Sequence, residues 1–173
     1  MFAAVAAAQG VVAPEAAFLQ VGATTSGTEA LTLGLLWRWP ASWAWSLGGG
    51  RLDGRWEASL SAWSFPAAGG AGRQSLGQIA FTPLLRYSAG GGAAAWYAEA
   101  GIGASCTTSL YVSERTQFST SFNFGDQLAL GWVFGPLREH ELSLRFEHFS
   151  NANLKRPNPG EEFVQLRYAR RLP

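Results

Sequence analysis

Charge is what this chain has least of. Of its 173 residues, 13 are Lys or Arg and 12 are Asp or Glu, 14% in all, against about 25% in an ordinary soluble domain. The net charge of +1 supplies no field that would gather nucleic acid. Cysteine occurs once, at Cys106. That excludes an internal disulfide and a cysteine-built zinc cluster, and leaves Cys106 as a small apolar strand residue. No run of 18 apolar residues exists, so a transmembrane helix is not supported. Histidine occurs twice, at His140 and His148. With so few ligand-type side chains clustered, no metal and no cofactor is expected.

The rest of the composition is oily. Hydrophobic residues make up 47%, with 8 Trp and 21 Gly. Oily composition without an oily run is what alternating strands produce when one face meets lipid and the other a polar interior. Residues 17–25 read as a first short strand. Residues 30–39 follow, with Leu31, Leu33, Leu35, Trp37 and Trp39 on one face. Residues 51–65 set Leu52, Trp56, Ala58 and Leu60 against Asp53, Arg55, Glu57 and Ser59. Further strands are read at 73–88, 95–107, 119–134 and 161–171. Pro83 suggests a bulge or local break. The stretches 41–50, 66–72, 89–92 and 108–118 read as connections. With the strand at 141–150 the count reaches about eight, each of barrel length. Burying Asp53, Arg55 or Glu57 in hydrocarbon costs roughly several kcal/mol per group. The polar faces must therefore point into a hydrated or self-paired interior. Trp and other aromatic residues recur near strand ends, as interfacial girdles do.

The fold expected is an all-β, eight-stranded antiparallel transmembrane barrel over residues 17–173. Residues 1–16 contain an Ala-rich apolar run, and read as a signal remnant or a disordered N-terminal tail. A soluble barrel with the oily faces inward has the same periodicity. The low charge and the Trp-rich face favour the membrane form.

One strand carries an anomaly. In Glu141–Ser150, Leu142, Leu144 and Phe146 share a face that His148 and Ser150 continue, while Ser143, Arg145 and Glu147 lie opposite. A hydrolase acting on a lipid would keep a base and a nucleophile on that oily side. Glu162 begins the last strand with the parity of Val164, Leu166 and Tyr168, so it falls on the same face. The two strands are hairpin partners, which sets Glu162 beside His148. Ser150 needs a base, which His148 supplies, and Glu162 would orient the imidazole. The amides from Asn151 to Asn153 are the nearest donors for an oxyanion. Each residue also has a plain reading: His148 an interfacial ring, Ser150 a strand end, Glu162 a solvated charge beside Glu161. His140, in the opposite turn, reads as solvated.

The stretch from His148 to Glu162, HFSNANLKRPNPGEE, resembles the signature of the lipid A 3-O-deacylase (PagL) family. Gly22-Ala23-Thr24, Leu52-Asp53-Gly54-Arg55-Trp56, Ala98 to Gly103 and Phe122 to Asp126 extend the likeness over most of the chain after about residue 17. The resemblance implies an outer-membrane barrel, with its active site at the outer-leaflet side. It implies hydrolysis of the ester-linked 3-O acyl chain of lipid A by Ser150, His148 and Glu162. It implies oxyanion support from Asn151, and makes Asp126 a further family residue of unassigned role. Asn153 stands where a glycine is expected. The partners implied are lipopolysaccharide and outer-membrane lipids, with monomer and homodimer both open. Lys155 and Arg156 either meet lipid phosphates or are simply solvated. The rival functions are a non-enzymatic outer-membrane barrel, as adhesin or structural protein, and a soluble lipid-binding barrel.

Overall fold

The structure, a computed structural model, describes residues 13–173. The Ala-rich run read as a signal remnant or tail falls mostly on residues 1–12, outside the described residues. The strands are β1 (Ala16–Ala23), β2 (Glu29–Arg38), β3 (Trp45–Leu47), β4 (Gly50–Pro66), β5 (Arg73–Ser88), β6 (Trp96–Thr107), β7 (Phe122–Phe134), β8 (His140–Ser150) and β9 (Glu161–Arg171). All the pairings are antiparallel, and β1 pairs with both β2 and β9. Because β2 also pairs with β4, the sheet closes on itself as an eight-stranded barrel. The three-residue β3 stands outside that ring. It lies along the start of β4, Trp45 opposite Leu52, before β4 reaches β2. The segment 41–50, expected to be a plain connection, thus forms a small flap with a short 3-10 turn at Ala41–Trp43. The first barrel strand begins and the last one ends at the same end of the barrel, where Ala16 faces Arg171.

Side-chain facing follows the alternation. Leu33, Leu60, Leu130 and Leu144 are exposed on the outer wall, while Arg55, Glu57, Arg145 and Arg167 are buried inside. The oily residues look out and the charges look in, so the inverted soluble arrangement is overturned. Closure leaves no open sheet edge, which hydrocarbon could not tolerate.

Most of the interior charges pair with one another. Arg86 Nε donates to Glu99 Oε1 at 2.7 Å, and its two terminal nitrogens donate to Glu141 at 2.8 and 2.6 Å. Arg145 Nη1 donates to the other Glu99 oxygen at 2.8 Å. Arg167 grips Glu57 with two parallel hydrogen bonds of 2.5 and 2.8 Å. Guanidiniums suit this work because their planar forks match carboxylates. Toward the end opposite the termini the lining changes to rings. Trp63, Phe65, Tyr111, Phe118, Phe149 and Phe163 pack together, all buried. The polar-looking stretch 108–118, read as a loop, turns two of its side chains inward, Tyr111 and Phe118, which join this cluster.

Two other expectations are modified. At Pro83 the β5–β6 ladder breaks across Thr82 and Pro83, yet the register resumes unchanged, Phe81 facing Ala104 and Leu84 facing Gly101. Proline lacks the N–H that the ladder would need there. The tryptophans do not ring both ends. Trp37, Trp45, Trp96 and Trp132 lie on strands at the end that carries the termini, while Trp63 is inside the barrel near the other end.

Replacing Glu99 by Ala would leave Arg86 and Arg145 facing each other without their shared carboxylate. Losing one member of a buried pair costs roughly 3–5 kcal/mol. Chemical unfolding from lipid vesicles should register a loss of that size. A change below about 1 kcal/mol would mean that water, not Glu99, neutralises these guanidiniums.

Candidate active site

The site is set by what lies on the hidden side of the same strands. On β8, Phe149 is 3% exposed and packs against Trp63 and Phe163. Its neighbours His148 and Ser150 must then point outward. On β9, Phe163 is fully buried and Glu161 is 4% exposed, so Glu162 between them also points outward. His148 and Glu162 are direct cross-strand partners. Nδ1 of His148 lies 3.2 Å from Oε1 of Glu162.

Glu161 and Glu162 face opposite ways. Glu161 faces the interior, where Ser26 Oγ donates to it at 2.7 Å and the Tyr111 hydroxyl donates at 3.1 Å. Thr28 Oγ1 lies 2.6 Å from that same hydroxyl. Burial pushes the Tyr111 phenol above its ordinary pKa, so it stays protonated and able to donate.

Ser150 is half-buried on the same wall as His148, opposite Phe124 of β7. No hydrogen bond joins Ser150 Oγ to the imidazole. Such contacts are often long before substrate arrives. Gly160 closes over the ring. A Cβ built there would lie 2.4 Å from His148 Cε1, and its φ of +73° is a left-handed value that suits glycine.

Asn151 turns away from the wall. It is 1% exposed. Its side-chain amide donates to Ser119 Oγ at 3.0 Å, to Thr120 Oγ1 at 3.1 Å and to the Lys155 carbonyl at 2.9 Å. Its backbone N–H is taken by Asn158 Oδ1 at 2.9 Å. Of the three loop amides considered from sequence, this one is already occupied. Those of Ala152 and Asn153 have no partner among the described residues, and both residues adopt positive φ, 51° and 63°. Asn tolerates this conformation better than most residues, which accounts for Asn153 at a place where glycine was expected.

Asp126 is exposed on the wall directly across β7 from His148. His148 therefore has a carboxylate-bearing residue as cross-strand partner on each side. His140 is not simply solvated: Nδ1 lies 2.8 Å from the Tyr168 hydroxyl, and the ring stacks between Phe134 and Tyr168.

An apolar groove runs along the outer wall from Glu162. Its first part, about 480 Å³, is bounded by Ala23, Thr25, Phe146 and Val164. A second part, about 740 Å³, shares Ala23 and Val164 and continues past Val21, Leu31 and Leu166. Sequence reading missed this groove, because its walls come from strands far apart in the chain. The alternation of β1, β2 and β9 contained its residues but not their adjacency.

Because Gly160 touches the imidazole, Gly160→Ala should push the ring away from Glu162. A displacement of about 1 Å at such a group can cost on the order of 10²-fold in rate. The activity of the purified variant checks this, and an unchanged rate would show that the ring position is irrelevant.

Known proteins match this chain closely. The family model described as lipid A 3-O-deacylase (PagL) matches residues 30–171. A lipid A deacylase PagL of Pseudomonas aeruginosa is 36% identical over 148 residues, 86% of this chain and 81% of that protein. One of Bordetella bronchiseptica is 37% identical over 131 residues, 75% of this chain and 69% of that protein. A crystal structure described as that of the outer membrane enzyme PagL superposes with a TM-score of 0.76 at 28% identity, covering 91% of this chain and 99% of that one. With the barrel closed in the same way and the family match spanning nearly all of it, this chain belongs to the lipid A 3-O-deacylase (PagL) family.

Proposed function

We propose that this protein is an outer-membrane serine esterase that removes the ester-linked 3-O acyl chain of lipid A, with its active site at the outer-leaflet side. The observation that carries the reading is the contact between His148 and Glu162 on the apolar outer wall, with Ser150 on the same face. A titratable pair has no packing role there. A lipid substrate reaches that wall by diffusing in the membrane plane.

Glu162 accepts a hydrogen bond from Nδ1–H of His148, which leaves the Nε2 lone pair free. Ser150, two residues along the same face of β8, turns its Oγ toward that lone pair when substrate binds. As Oγ attacks the ester carbonyl carbon, its proton passes to Nε2, and Glu162 stabilises the imidazolium. The carbonyl oxygen becomes an oxyanion and takes hydrogen bonds from the Ala152 and Asn153 amides. Asn151 supports them by fixing the loop. The tetrahedral species collapses with cleavage of the bond to the sugar oxygen, which leaves as the 3-hydroxyl after taking the proton from His148. Water then repeats the cycle on the acyl-enzyme and releases the fatty acid. The groove beyond Glu162 receives the acyl chain. Burial of apolar area at about 25 cal/mol per Å² would hold the chain in water, but in lipid that term vanishes. Shape, not hydrophobicity, therefore selects the chain here.

Ser150→Ala is expected to abolish deacylation while the barrel stays folded. Mass spectrometry of lipid A from cells expressing either form reads the loss of one hydroxy-acyl chain. Full activity in Ser150→Ala would remove the serine mechanism, and no activity in the unaltered protein would leave a non-enzymatic barrel.

A further inference from the structure

The side chains of His148 and Glu162 are 31% and 57% exposed, so little packing around them holds them in place. The register that brings them together must come from the buried neighbours. On β8 the neighbour is Phe149, anchored among rings. On β9 there are two, Phe163 among the same rings and Glu161, the first residue of the strand. Glu161 is a buried carboxylate with two hydroxyl donors, Ser26 on the β1–β2 turn and Tyr111 on the inward-folded segment 108–121. Such a group loses much more than a surface pair when a donor is withdrawn. The same segment also reaches the other flank of the site, where Ser119 and Thr120 accept hydrogen bonds from Asn151, next to Ser150.

We propose that Tyr111 is a positioning residue for the reaction: its hydroxyl fixes Glu161, and through Glu161 it sets the start of β9 so that Glu162 meets His148. Tyr111 is fully buried and touches no substrate. It acts through one carboxylate that faces inward and its neighbour that faces out. The proposal rests on the reading of Ser150, His148 and Glu162 as the catalytic group.

Steady-state kinetics of Tyr111→Phe on lipid A in detergent micelles tests it. The expected result is a fall in kcat of about tenfold with KM within about twofold, because orientation is lost and substrate binding is not. Tyr97→Phe is the control. It removes another buried phenol hydroxyl, at the opposite end of the barrel, and should leave kcat unchanged. Ser26→Ala withdraws the second donor from Glu161 without entering the ring cluster. It should reproduce the kcat loss, and it carries the test if Tyr111→Phe does not fold. Wild-type kcat in both Tyr111→Phe and Ser26→Ala overturns the proposal, as does an equal loss in Tyr97→Phe. Ser150→Ala, run alongside, separates the two ideas. If it is inactive while the Tyr111 and Ser26 variants are normal, positioning alone fails. If it is active, the catalytic reading fails and takes the positioning role with it.

Discussion

Everything in this barrel depends on the two-residue alternation of its strands being pinned from the inside. A strand can present its side chains either way round, and a slip of one residue reverses every one of them. Here the reversal is blocked by groups that have no other place to go. Arg145 and Glu99 must stay paired within the barrel, and Phe149 and Phe163 must stay among rings. Given those anchors, Leu144, Phe146, His148 and Ser150 have only the outer wall left.

The polar interior and the candidate site are thus two sides of one arrangement. The ion pairs fill the half of the barrel near the termini, and the aromatic cluster fills the half near the loop 151–160. The unusual residues lie on the wall backed by the rings. The buried rings behind β8 and β9 give His148 and Glu162 a packed base, while loop 151–160 is held by Asn151 and by Gly160 against the imidazole. Precision at the surface comes from the core beneath it.

Much of this was legible in the sequence. The eight barrel strands appear as alternating patterns because each has one face in each environment, and β8 shows the pattern best. The pairing of His148 with Glu162 followed from parity and hairpin adjacency. What escaped detection depends on contacts between distant segments. Segment 108–118 is polar in composition, yet Tyr111 and Phe118 turn inward, and only the gap among Trp63, Phe65 and Phe149 explains why. The commitment of the Asn151 amide to Asn158 required knowing how the loop folds back. The flap with β3 escaped because three residues carry no readable period. The one-ended placement of tryptophan was invisible because spacing along the chain says which strand end a residue occupies, but not how the ends gather.

The packed interior has a consequence for the cell that carries it. A barrel of this size that kept a watery lumen would be a leak for small solutes. Guanidinium–carboxylate pairs and edge-on or tilted rings occupy that space instead, so the protein can sit in a permeability barrier without breaching it. The outer circumference, which in a pore serves only to contact lipid, here also carries His148, Ser150 and Glu162.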